Sequence, residues 1–243
     1  MSFFFQKSNI DYLYLLLYFF NEFTGGNMKI FIQLFFIFFI HSTLFSIDTV
    51  FDSIQWNLES SVKDISLFFN TDGKVSFFKA ETIVDDLKSE EVIASLMDFK
   101  NYFEIFPKTY FFNPVKKYDD HRYIVYTKLD FFPLKKRDAF LDMSVNYLDK
   151  GILLNWEPAK EYVFTDFAED SVRAERIYGR WYVQELEDLK VKISVEYSND
   201  WKVTNVPNSV LVAIQKTTTA DALRNLLKYV KKNTGNIIIN PQG

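Results

Sequence analysis

Arg137, Glu175 and a neighbouring tyrosine form the one set of charged and phenolic side chains here with the makings of a reactive or polar-recognition site. Acid–base work needs such a carboxylate, phenol or guanidinium held in a pocket that perturbs its pKa. Other chemistries have little to be built from. The chain has no cysteine, so disulfides, thiolate nucleophiles and thiolate metal sites are excluded together. Of its two histidines, His41 lies in an apolar leader and His121 in the turn-like YDDHRY. A Ser-His-Asp relay or a histidine zinc site has almost nothing to draw on. Gly151 and Gly179 are isolated and make no phosphate-binding loop. Glu90 and Glu91 are a second carboxylate pair, but they follow Ser89 in the first turn of an expected helix, where they complement its positive end.

The elements that must position Arg137 are strands. In Arg137–Val145 the apolar Ala139, Leu141, Met143 and Val145 share a face with Arg137, while Asp138, Asp142 and Ser144 lie opposite. Alternation therefore points Arg137 inward, where an unpaired guanidinium is costly. It must find a carboxylate, backbone carbonyls, water or a ligand headgroup; Asp130 and Glu175 are candidate carboxylates. Strands are also expected over 64–69, 74–84, 113–118, 122–130, 137–147, 152–157, 172–178, 181–186 and 190–197. Asn70-Thr71-Asp72-Gly73 forms a hairpin turn between the first two. Helices are expected over 47–61, from Val50, Ile54 and Leu58, and from a Ser89 cap onward, with Val92, Leu96 and Phe99 on one face. A long final helix begins near Asn208, with Val210, Ile214, Thr217, Leu223, Leu227 and Val230 as its apolar stripe. The threonines 217–219 are poor helix formers. The architecture is α+β: a short helix, a curved antiparallel sheet of about six or seven strands, and one long helix lying across it.

Before this domain comes a leader. Lys29 and the apolar Ile30–Ile40, followed by the more polar His41–Ser46, have the layout of a signal peptide cleaved before Ile47. An uncleaved anchor is the alternative. Gly25-Gly26-Asn27 before Met28 can be encoded by a ribosome-binding sequence, so residues 1–27 are expected to be an upstream extension. The domain then covers 47–233, with 234–243 as a tail, and works outside the cytoplasm as an exported, periplasmic or envelope-associated protein. The whole chain has 28 basic and 32 acidic residues, a balance that argues against nucleic-acid binding.

Five stretches in order resemble the START family of lipid-transfer domains, in the helix-grip superfamily. They are Phe78-Lys79-Ala80-Glu81, Met97-Asp98-Phe99-Lys100-Asn101-Tyr102, Pro133-Leu134-Lys135-Lys136-Arg137-Asp138, Val172-Arg173-Ala174-Glu175 with Gly179-Arg180-Trp181, and Leu223-Arg224-Asn225-Leu226-Leu227. The resemblance implies a tunnel between sheet and final helix that holds one lipid or other apolar small molecule, with no cofactor and no covalent chemistry. It also implies an acidic partner for Arg137 on the preceding strand, where this chain has Lys128. Expected ligand contacts are Tyr126, Arg137, Leu141, Met143, Trp156, Glu175, Ile214, Thr217 and Thr218.

Phe131, Phe132, Leu134, Lys135 and Lys136 form a loop able to dip apolar groups into a membrane surface while lysines meet anionic headgroups. A loop folded over the end of the core is the alternative. For the whole domain, expected to be a monomer, the alternatives to lipid binding are a cyclase- or hydratase-type enzyme of the same superfamily and a ligand-free structural domain with a filled core that binds protein partners.

Overall fold

Alternation of apolar and polar residues builds the strands of the chain into one sheet. The structure is a computed structural model, and it describes residues 51–72, 75–130, 135–162, 170–187, 190–200, 202–203 and 206–233. The leader, the tail, and Phe131, Phe132 and Leu134 lie outside the described residues.

Ten strands are present among the described residues: β1 (Asn57–Val62), β2 (Ile65–Thr71), β3 (Ser76–Asp85), β4 (Thr109–Lys117), β5 (Arg122–Leu129), β6 (Lys136–Leu148), β7 (Gly151–Pro158), β8 (Ser171–Arg173), β9 (Arg176–Glu185) and β10 (Lys190–Asp200). Their spatial order is β1-β2-β3-β10-β9-β7-β6-β5-β4, with the short β8 beside β6. Every pairing is antiparallel except β6–β8. The helices are α1 (Ser89–Leu96), α2 (Tyr102–Ile105) and α3 (Asn208–Asn233), with 3-10 turns at Phe99–Asn101 and Lys160–Tyr162. The helix α3 packs against β2, β3 and β10 and against α1 and α2. No helix among the described residues is long and apolar enough to cross a membrane.

Three expectations change. Residues 57–62 form the edge strand β1 and not the end of a helix, with Leu58 exposed. The strand is set by a two-residue turn: Lys63 and Asp64 take φ of 50° and 65°, and Val62 pairs with Ile65. That is the left-handed conformation of tight hairpins. Ser89 is the first residue of α1 and not its cap; its hydroxyl donates to Glu185, and Glu91 instead accepts the Lys88 N–H at 3.2 Å. The stretch 172–178 divides between β8 and β9, and β9 also takes in the expected strand 181–186 as far as Glu185.

The inner face of the sheet is apolar. Phe78 and Ala80 of β3, Val191, Ile193 and Val195 of β10, Trp181 and Val183 of β9, and Leu154 of β7 join Leu223, Leu226 and Val230 of α3 in one cluster. Burial of such side chains contributes about 25 cal/mol per Å². Outer-face charges on the same strands are paired: Arg180 with Glu196 and Asp52, each at 2.7 Å, and Lys79 and Lys192 with Glu81 at 3.0 and 3.1 Å.

Candidate functional site

Leu141, Met143 and Trp156 stand where alternation places them, on the inner face, with Met143 directly opposite Trp156 across β6–β7. A close approach makes this possible. Gly179 on β9 pairs with Trp156, and a Cβ at position 179 would run into the indole ring. Trp181, two residues on, is fully buried in the same wall. Its Nε1 lies beside the Tyr102 hydroxyl, whose pKa burial pushes upward.

Arg137 is inward and buried, as its register with Leu129 of β5 requires. Its guanidinium donates to the carbonyl oxygens of Lys135, Lys136 and Lys202, the last two at 3.4 Å. Burial lowers its pKa from the ordinary guanidinium value. Backbone carbonyls are thus among its partners. Glu175 is exposed and accepts from the Lys202 ammonium at 2.7 Å. Arg137 and Glu175 therefore both reach residue 202, one at its carbonyl and the other at its side chain.

The carboxylate of the Arg-Asp step is engaged elsewhere. Asp138 points to the outer face and is 1% exposed; Arg173 grips both its oxygens at 2.9 Å and Tyr126 donates to it at 2.9 Å. Arg173 also donates to the Tyr162 carbonyl and lies over the Phe140 ring, which stacks on Tyr126 and Tyr162. Tyr126 is therefore not on the inner wall. It belongs to a second small cluster with Ile124, Phe140 and Ala159 on the opposite face. The sequence carried the signal: one step along β5 separates Tyr126 from the inward Val125.

The face of α3 also differs from expectation. Ile214 is 49% exposed, Thr217 and Thr218 are exposed, and their hydroxyls donate back to the carbonyls of Ala213 and Ile214. The buried threonine is Thr219, 2.6 Å from the Tyr197 hydroxyl, which also lies 2.9 Å from the Gln215 carbonyl. Tyr197 was readable as the last inward residue of β10. The fully buried stripe of α3 begins at Thr219 and Ala220; in its first turns Val210 is 45% exposed while Val212 packs against the edge of the core. Gln215 Oε1 is a buried atom with no hydrogen-bond partner among the described residues. Among the described residues, no group of three His, Asp or Glu side chains is placed to hold a metal.

Of the expected membrane loop, Lys135 is exposed; Lys136 lies over the Tyr110 ring and 3.6 Å from Asp170.

No protein-family profile and no curated protein matches the sequence. Solved structures do match. Human STARD10 superposes with a TM-score of 0.65 at 15% identity, covering 76% of each chain. Human StAR-related lipid transfer protein 5 gives 0.64 at 16% identity, covering 76% of this chain and 91% of its own. A STAR-related lipid transfer protein fragment from Xanthomonas axonopodis gives 0.62 at 16%, covering 72% and 98%. Identity this low speaks for the fold alone: an α+β helix-grip sheet with a long C-terminal helix, which is the fold of the START lipid-transfer domains that the motifs resemble.

Proposed function

We propose that this chain binds one hydrophobic ligand non-covalently between the inner face of the sheet and α3, and carries it between membranes. The observation that supports this best is the inner wall itself. Leu141, Met143 and Trp156 continue into Trp181 within a fold shared with proteins named for lipid transfer. Gln215 Oε1 is a buried polar atom without a hydrogen-bond partner among the described residues, and such an atom calls for a partner. Burial drives affinity at about 0.8 kcal/mol per methylene. Arg137 orients a polar end where β6 begins, and no bond is made or broken. Residues 28–46 direct export, and Phe131 and Phe132 touch the membrane during exchange.

Native mass spectrometry of residues 47–243, purified from the envelope of the host, tests the reading. A lipid present at one per chain, recovered by solvent extraction, is the expected result. A clean apo mass after incubation with envelope lipids would favour a filled-core domain that binds protein partners.

A further inference from the structure

A carrier of this kind, on which the present inference rests for its purpose, must meet a bilayer to load. The described residues hold a surface fitted for that meeting, apart from the loop at 131–134. At the β4 edge, Phe103, Tyr110 and Phe111 are 52%, 46% and 42% exposed and rim a groove of about 240 Å³ with Lys100. A β-bulge between Thr109 and Phe111 breaks the alternation, so two consecutive aromatic side chains stand exposed. Beneath them, Phe112 stacks on Tyr102 at 3.8 Å and packs on Phe99 at 5.6 Å, a stiff floor for the groove.

Lysines surround this rim, and of the carboxylates close to Tyr110, Asp138 is held by Arg173, Asp170 lies 3.6 Å from Lys136 and Asp130 is exposed. Lys100 and Lys108 are exposed and Lys128 pairs with Phe111 across β4–β5. None of the three enters an ion pair among the described residues. The nearby carboxylate Glu104 is engaged by Lys232 at 3.0 Å. Lysines outside these ion pairs, with Lys128 5.8 Å from the Tyr126 ring, and exposed aromatics therefore sit together on a chain whose net charge is −4. Aromatic rings settle at the headgroup level, and lysines add attraction to anionic lipid. A second copy of the chain fits the edge poorly, since Pro114, a second bulge before Lys116, and Lys117 blunt β4 against strand pairing.

We propose that the Phe103–Tyr110–Phe111 rim, with Lys100, Lys108 and Lys128, docks on the surface of an anionic phospholipid bilayer. Co-flotation of the protein purified from its host with phosphatidylcholine vesicles, with and without phosphatidylglycerol, tests it. Binding should require the anionic lipid and weaken as salt rises. A Lys100→Glu, Lys108→Glu, Lys128→Glu variant should bind at least about a hundredfold more weakly, since each lysine at an anionic surface is worth about fivefold. A Phe103→Ser, Phe111→Ser variant should lose about tenfold or more; these exposed side chains leave the fold intact, which circular dichroism checks.

Equal binding by wild type and both variants, no binding by wild type, or equal binding to neutral vesicles would each overturn the proposal. So would a concentration-dependent dimer on gel filtration that the variants abolish, since it would assign the rim to a second copy. Native mass spectra of the same samples separate this claim from the cavity. A variant that keeps its co-purified lipid but loses the vesicles supports the rim. A ligand-free protein that still needs the rim to bind vesicles also supports it, while the cavity reading falls.

Discussion

At the scale of single residues, Asp138 is the most exacting position. It is fully buried, and its two oxygens hold Arg173 and the Tyr126 hydroxyl. Asp138→Ala should cost about 3–5 kcal/mol in urea denaturation, because Arg173 is left with an uncompensated charge. Tyr229 carries a pH dependence. Burial first, then its hydrogen bond to Asp98, pushes its pKa up to about 12 from an ordinary value near 10. The folded state thus holds the phenolic proton more tightly. Its contribution is fully present below pH 10 and is lost as pH rises toward 12. Stability measured across that window should fall, and Tyr229→Phe should make the fall shallower. The inward placement of Arg137, Leu141 and Met143 was legible in the sequence because strand alternation alone decides it. What Arg137 touches was not, because its carbonyl partners come from residues 135, 136 and 202, and carbonyls leave no mark in a sequence.

At the scale of elements, β7 and β9 depend on a missing methyl group. A Cβ at position 179 would meet the Trp156 ring and sit 2.7 Å from the Glu196 carbonyl. Gly179→Ala should cost about 1–3 kcal/mol and move the Trp156 indole, a change that tryptophan fluorescence reports. The β1–β2 turn offers the opposite case. Lys63 and Asp64 hold left-handed backbone that glycine adopts freely. Asp64→Gly should raise the urea midpoint, by an amount equivalent to about 1 kcal/mol. Most strands and the start of α3 at Asn208 were legible, because each carries its own period. The edge strand β1 was not. Val50, Ile54 and Leu58 share a helical spacing, and only the pairing with β2 settles the conformation of residues 57–62. The buried stripe of α3 was half legible for a related reason: of the apolar residues in its first turns, Val212 packs on the core while Val210 and Ile214 stand exposed.

At the scale of the whole molecule, the proposed lipid would add to the stability. A ligand at a hundred times its dissociation constant adds about 2.7 kcal/mol. Solvent-stripped protein should therefore melt about 5–10 °C below the protein as purified, and added lipid extract should restore the difference. The sheet has a further consequence, in time. The strand β3 pairs with β2 on one side but finds its second partner only in β10, with Phe78 opposite Tyr197, so the two halves of the wall join across about a hundred residues of intervening chain. No nascent chain can close that seam before Tyr197 has been synthesised, and α3, which rests on both sides of it, must dock last. Maturation is slow for such a topology. Until β10 arrives, the free edge of β3 is an open template for aggregation, which a chaperone or a secretion channel would have to cover.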